Sequence, residues 1–157
     1  DYLSELGVGL NEALKLAIRR AVAKDATEIL ILPADLPLLK TSDVENIATM
    51  ASSPKDVVIA PSKANGTNAL LLRPPDVIDL RFGGESFPLH VREALQAGVK
   101  PRIYRSTTVA LDIDEVSDLA GIEAQGADTC AHQFLKTLRQ LQKTKKKKNV
   151  QFSTTKI

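Results

Sequence analysis

Apolar residues recur at helical spacing near the start of the chain. Leu10, Ala13, Leu14, Ala17, Ile18, Ala21 and Val22 fall at i, i+3, i+4, i+7, i+8, i+11 and i+12, which lines one face of a helix. Arg19, Arg20 and Lys24 sit in its last turns, at the negative end of the helix dipole. Residues 28–32 (EILIL) form a short, β-branched-rich run that predicts a buried parallel strand. Pro33 and Pro37 stop regular structure after it, and Ser42 with Glu45 reads as a capping box opening a helix to about Ala51. Residues 56–60 and 67–72 predict two further strands, joined by a turn that ends in Asn65-Gly66. So short a connection makes the second of them an antiparallel or mixed element. Pro74-Pro75 breaks it; Phe82-Gly83-Gly84-Glu85 reads as a flexible loop. Ser86 is the expected N-cap of a helix to about Ala97, with Gly98 as its stop. Short strands are expected at 102–104 and 109–113, then helices at 115–124 and 128–142. Residues 143–157 lack an apolar period and are expected to form a basic mobile tail beyond a domain spanning 1–142.

Alternating helices and strands predict an α/β architecture with a mixed, mostly parallel sheet. The 157-residue length suits one domain, and 43% apolar content supplies a real core. The single cysteine, Cys130, excludes an internal disulfide framework and a cysteine-based zinc cluster, and makes a reduced, cytoplasmic setting the default expectation. No apolar run approaches the length of a membrane span, and no signal peptide is read at the N-terminus. Charge changes the picture more. The formal net charge is +2, yet residues 131–157 hold eight basic and no acidic residues, which leaves 1–130 at −6. The Lys145–Lys148 run has no interleaved aromatics, so a solvated tail is expected in preference to a nucleic-acid contact.

Open α/β sheets bind ligands beyond the carboxyl ends of their strands, and two acidic positions fall there. Asp35 follows the EILIL run. Asp112 and Asp114 end the expected 109–113 strand, at i and i+2, so both carboxylates can face one site. Three such carboxylates suit Mg²⁺, a hard ion that takes one or two carboxylates plus substrate phosphates; the alternative is that they are turn and surface residues. The Gly83-Gly84 loop before a helix offers N–H groups to an anion, but lacks the Gly-Lys-Ser/Thr end of a Walker A loop. Asn65-Gly66-Thr67-Asn68 reads as a hairpin turn. His90 has no second histidine or cysteine nearby, so packing or a hydrogen bond is expected, with substrate contact as the minor alternative; His132 reads as structural or exposed, and Cys130 as a core or surface thiol. Ser86 and His90 do not form a nucleophile triad.

Five blocks occur in a telling order: Gly9-Leu10-Asn11-x-Ala13-Leu14; Leu32-Pro33-Ala34-Asp35-Leu36-Pro37; Ala60-Pro61-Ser62 with Asn65-Gly66-Thr67-Asn68-Ala69-Leu70; Phe82-Gly83-x-x-Ser86-Phe87-x-x-His90; and Leu111-Asp112-Ile113-Asp114 with Asp118-Leu119. Over about residues 7–125 the sequence resembles the 2-phospho-L-lactate / phosphoenolpyruvate guanylyltransferases of coenzyme F-420 biosynthesis, within the MobA-like nucleotidyltransferases. The resemblance implies a three-layer α/β/α Rossmann-like core. It implies transfer of a guanylyl group from GTP to a small phosphorylated three-carbon acid, with release of pyrophosphate and with Mg²⁺ as cofactor. Asp35, Asp112 and Asp114 would be the catalytic, metal-holding residues. Thr67, Gly83 and Ser86 would meet the acid, and Gly9 and Asn11 the guanine nucleotide. A homodimer is an open possibility, and neither membrane nor nucleic acid is an expected partner. Members of this family begin with a strand and a basic loop that grips the GTP phosphates. Neither precedes Gly9, so the resemblance implies that this chain is the C-terminal two-thirds of such an enzyme. Another MobA-like transferase, or a non-catalytic fragment with a basic nucleic-acid-binding tail, are the competing readings.

Overall fold

The computed structural model describes residues 9–126 and 128–153, with 144–153 described as backbone alone. The chain divides into two compact units, Asp1–Asp112 and Ile113–Ile157. The first unit contains α1 (Leu10–Val22), β1 (Ile29–Ile31), α2 (Thr41–Met50), β2 (Asp56–Pro61), β3 (Thr67–Arg73), α3 (Ser86–Gln96) and β4 (Arg102–Ile103). The second contains a 3₁₀ turn (Val116–Asp118), α4 (Leu119–Gln125) and α5 (Cys130–Ser153).

The four strands form one sheet in the order β1-β3-β2-β4. β3 runs antiparallel to both β1 and β2, and β4 runs parallel to β2. Three strands therefore share a direction and β3 alone is reversed: the sheet is mixed as expected, but two of its three pairings are antiparallel because the reversed β3 lies between β1 and β2. Period-2 alternation along β2 and β3 sends side chains to two cores. Val57, Ile59, Leu70 and Leu72 face one side, where Leu14 and Ile18 of α1 and Phe87 and Val91 of α3 pack. Val58, Ala60, Ala69 and Leu71 face the other, where Ile47 and Ala51 close over them from α2 and its C-terminus. The first unit is thus layered helix, sheet, helix.

Several sequence-based expectations need correction. The EILIL run is not a buried parallel strand: β1 pairs with β3 in antiparallel register, Ile29 opposite Leu72, and its residues are half-buried. A shallow groove of about 310 Å³ between Leu14, Ala17, Ile18 and Ala21 of α1 and residues 29–32 leaves part of both elements accessible. Residues 109–113 pair with no strand, although Val109 and Leu111 are buried in alternation. α2 starts at Thr41, and its first turn is capped by Asp43 and not by a Ser42–Glu45 box: the Asp43 carboxylate accepts the Lys40 N–H at 3.0 Å. α3 begins on Ser86 itself, which places Glu85 at the cap position. α5 does not stop near Gln142 but continues through the lysine run to Ser153; residues 154–157 lie outside the described part.

In the second unit, Asp118 accepts the N–H groups of Asp114 and Glu115 at 3.1 and 2.8 Å. Arg139 of α5 pairs with Glu123 of α4 at 2.6 Å, and His132 Nδ1 lies 3.3 Å from the Ile122 carbonyl, the structural role expected of it. Cys130 is an exposed free thiol.

Candidate functional site

A polar cluster joins three segments of the first unit: the start of α1, the 62–68 turn, and the 81–90 stretch entering α3. Each is built by local chemistry. Gly9 precedes α1 at φ 85°, a conformation that favours glycine, and an added Cβ there would meet no described atom within 4 Å. In the turn, Ser62 N–H donates to the Gly66 carbonyl and Gly66 N–H donates to Ser62 Oγ, both at 2.9 Å. A Cβ on Gly66 would lie 2.9 Å from Ser62 Oγ, so a larger residue there would push that hydroxyl away from the Gly66 N–H. Asn65 takes φ 66° at the tip, a conformation asparagine tolerates. The Phe82-Gly83-Gly84 loop has φ 119° and 42° at its two glycines. The N–H groups of Gly83 and Gly84 donate to no other described group, which leaves them available to an anion at the mouth of α3.

Cross-links fix these segments to one another. Asn11 Nδ2 donates to the Phe82 carbonyl and Asn11 Oδ1 accepts the Phe82 N–H, both at 2.9 Å. Phe87 N–H donates to the Asn65 carbonyl at 3.1 Å. Thr67 Oγ1 lies 2.9 Å from His90 Nδ1, and His90 Nε2 accepts the Arg81 N–H at 2.9 Å. His90 is fully buried, and burial is the first cause that pushes its pKa down to about 4. Asn68 Nδ2 donates to the Val109 carbonyl at 2.9 Å, and Lys63 N–H donates to the Ala110 carbonyl at 3.1 Å. The segment that leads into Asp112 is therefore anchored on the same turn that presents Thr67.

Four of the residues singled out from sequence thus meet in one network: Asn11, Thr67, the Gly83 loop and Ser86, which is buried at the start of α3. Gly9 adjoins it through α1. Asn11, expected at the nucleotide, has both polar side-chain atoms committed to Phe82, so within this unit it acts as a strut. The carboxylates stand differently. Asp35 is exposed in the loop after β1, held by buried Leu36 and Leu38 on its C-terminal side. Asp112 is half-exposed at the end of the first unit, and Asp114 belongs to the second. Among the described residues no three His, Cys, Asp or Glu side chains form a group that could hold a metal ion. Two carboxylates with substrate phosphates are enough for Mg²⁺, and neither Asp35 nor Asp112 is paired with any described cation or donor, so their donor chemistry fits that ion. His90, read from sequence as a packing or hydrogen-bonding residue, is that and also the hub of the network. The signal was its place one turn into a helix that follows a glycine loop.

Residues 2–156 match the family described as Guanylyl transferase CofC like. A phosphoenolpyruvate guanylyltransferase of Rubrobacter xylanophilus is 45% identical over 125 residues, which cover 79% of this chain and 61% of the relative. A 2-phospho-L-lactate guanylyltransferase of Methanocaldococcus vulcanius is 40% identical over 136 residues, 87% of this chain and 60% of the relative. The chain spans about three fifths of the length of these curated relatives. The solved structure of a protein from Desulfovibrio desulfuricans, described as a nucleotide-diphospho-sugar transferase, superposes with a TM-score of 0.70 at 19% identity, over 86% of this chain and 62% of that one. That likeness is one of fold, and it agrees with the layered α/β arrangement of the first unit. The family match and the five ordered motif blocks lead to one conclusion: the chain belongs to the CofC-like guanylyl transferase family.

Proposed function

We propose that the protein to which this chain belongs transfers a guanylyl group from GTP to a small phosphorylated three-carbon acid, 2-phospho-L-lactate or phosphoenolpyruvate, in coenzyme F-420 biosynthesis. The observation that carries the reading is the open Gly83-Gly84 loop, with its undirected N–H groups, cross-linked through His90 to Thr67. A phosphorylated acid presents two anionic groups to such donors. The same acids appear in the names of relatives at 40–45% identity.

In this reading the acid's phosphate oxygen attacks the α-phosphorus of GTP. A new P–O–P bond forms, the α–β bridge bond breaks, and the electron pair leaves with pyrophosphate. No protein nucleophile is needed, so the chain's task is positioning and charge stabilisation. Thr67, Gly83 and Ser86 hold the acid. Gly9, at the start of α1, meets the nucleotide, with Asn11 fixing that start to the acid loop. Asp35 and Asp112 would hold Mg²⁺, which when bound offsets phosphate charge and orients the leaving pyrophosphate. No described helix is long and apolar enough to cross a membrane, and the single free thiol is compatible with a cytoplasmic setting.

The test is a pyrophosphate-release assay on the full-length protein with GTP, Mg²⁺ and each acid. Release that requires one of the two acids is expected. Absence of release with both would refute the assignment, and release with a sugar phosphate alone would favour a different nucleotidyl transfer.

A further inference from the structure

His90 is 0% exposed, so it cannot itself meet a ligand. Its role lies in what its two nitrogens do. A backbone amide only donates, so the Arg81 N–H at 2.9 Å makes Nε2 an acceptor without a proton. Burial keeps the ring neutral, and a neutral imidazole carries one proton. That proton is on Nδ1, and Nδ1–H therefore donates to Thr67 Oγ1, 2.9 Å away. A threonine hydroxyl has one proton and two lone pairs. With one lone pair taken by His90, the hydroxyl proton is not spent on the ring, and Thr67 is free to donate it.

We propose that His90 is a positioning residue that fixes Thr67 as a hydrogen-bond donor to an anionic oxygen of the phosphorylated acid. This rests on the guanylyl-transfer reading, in which Thr67 meets that acid. The relay runs in one direction: Arg81 N–H to His90 Nε2, His90 Nδ1–H to Thr67 Oγ1, Thr67 O–H to the ligand. Each donated bond polarises the next, which strengthens the last one. The ring's orientation is held as well. Phe82 packs edge-on against it with centroids 4.7 Å apart at 67°, and Phe82 is clamped at both backbone atoms by Asn11. The start of α1, the glycine loop and β3 thereby act as one scaffold behind a single hydroxyl. Such a hydroxyl can donate to a carboxylate or phosphate oxygen.

Two substitutions separate the relay from mere packing. His90→Asn puts an amide N–H near the place of Nδ1 and keeps donation to Thr67. His90→Gln reaches toward Nε2 and keeps acceptance from Arg81 N–H, but loses the donation. In the full-length protein, His90→Asn is expected to hold KM for the acid within about threefold. His90→Gln is expected to raise it about tenfold to a hundredfold, with KM for GTP unchanged, as does Thr67→Val. The His90→Gln/Thr67→Val pair should lose no more than Thr67→Val alone. Equal losses in both His90 variants that track their melting temperatures, or additive losses in the pair, would overturn the relay. A second measurement needs no turnover. The ¹⁵N shifts of the His90 ring at neutral pH should show a protonated Nδ1 and a bare Nε2. A proton on Nε2 would overturn the relay even if the enzyme is active. The expected tautomer in a protein that releases no pyrophosphate would uphold the His90–Thr67 geometry, and the failure would then fall on the reaction reading, and with it on the acid as Thr67's ligand.

Discussion

Asp43 offers the sharpest quantitative test of how the first unit is held together. It is 4% exposed and forms no ion pair with a described cation. Instead, Oδ1 accepts from Tyr104 Oη at 2.8 Å and Ser106 Oγ at 2.9 Å, while Oδ2 accepts from Lys40 N–H at 3.0 Å and Thr108 Oγ1 at 2.7 Å. Burial works against the charge, but the bonds from Thr108, Tyr104, Lys40 N–H and Ser106 outweigh it and hold the pKa below the usual aspartate value. Asp43→Ala removes the acceptor for all four donors and uncaps α2. The lost cap alone costs about 1 kcal/mol. Hydrogen bonds to a charged acceptor are worth about 1.5–3 kcal/mol each, but Tyr104, Ser106 and Thr108 are half-buried and regain water in the variant. A total near 3–4 kcal/mol follows, well below the sum of the parts. For a chain of this size that is a fall in Tm of about 6–16 °C. Asp43→Asn keeps one acceptor oxygen and should lose about half as much. The sign of the pH dependence follows from the lowered pKa. The contribution is complete above about pH 3.9, the ordinary aspartate value, and is lost as pH falls through the still lower folded value. Thermal unfolding followed by circular dichroism at pH 7 and at pH 3 measures both. A fall under 2 °C for Asp43→Ala at pH 7 would refute the reasoning. So would a gap between wild type and Asp43→Asn that does not narrow in acid.

Three further predictions concern the candidate site. Asn11→Ala deletes the paired bonds to Phe82, worth about 1–3 kcal/mol together, and should speed hydrogen exchange at the Phe82 amide; unchanged exchange would mean the loop is held by other contacts. Asp35 is exposed, so Asp35→Ala should leave Tm within about 1 °C while lowering turnover of the full-length protein about a hundredfold or more; wild-type rate would remove Asp35 from the metal assignment. His90 is neutral in the fold down to about pH 4, whereas in the unfolded chain it protonates near pH 6.5. The unfolded state therefore binds more protons between these values, and stability should rise with pH across that window by up to about 3 kcal/mol. Denaturant titrations between pH 4 and 6.5 measure it; those on His90→Asn should lack that rise, and a matching slope in the variant would assign the effect to another group.

Much of this fold was legible because β2 and β3 obey period 2 on both faces and α1, α2 and α3 carry clear apolar stripes or stops. The failures have physical causes. An unbroken apolar run such as 29–32 signals packing on both faces, which Ile29 and Ile31 on one core and Leu30 and Leu32 on the other bear out. It says nothing of direction, and among the described strands β1 pairs with the antiparallel β3 alone. The 109–113 run alternates because Val109 and Leu111 are buried, but alternate burial needs no ladder, and this stretch is held by Asn68 and Lys63 instead. Lysine and glutamine have good helix propensity, so α5 can continue past Gln142 without an apolar face. The i, i+2 argument for Asp112 and Asp114 assumed a strand, and the unit boundary falls between them. Thr67, Gly83 and Ser86 came from the ordered motif blocks. The direction of the His90–Thr67 bond could come only from geometry, because it depends on which backbone N–H reaches Nε2.

That direction also constrains the chemistry. Ser86 and His90 sit four residues apart on α3, and a serine with a buried histidine invites a nucleophile-and-base reading. His90 cannot serve as the base. One nitrogen already accepts the Arg81 N–H, the other holds its proton against Thr67, and neither offers a lone pair to Ser86. Taking up a proton would also turn Nε2 into a donor facing another donor, which agrees with the low pKa. The other described histidine, His132, belongs to the second unit, where its Nδ1 lies against the Ile122 carbonyl. The described residues of the cluster therefore present donors, from Thr67 and from the Gly83 and Gly84 N–H groups, and no poised general base. A substrate that brings its own nucleophile, as a phosphate oxygen does, is the kind such a site can serve. A pH–rate profile flat between about pH 5.5 and 7.5 is the expected signature, once ionisation of the substrate phosphate is allowed for. A limb near pH 6.5 that His90→Asn abolishes would show that the imidazole moves a proton after all.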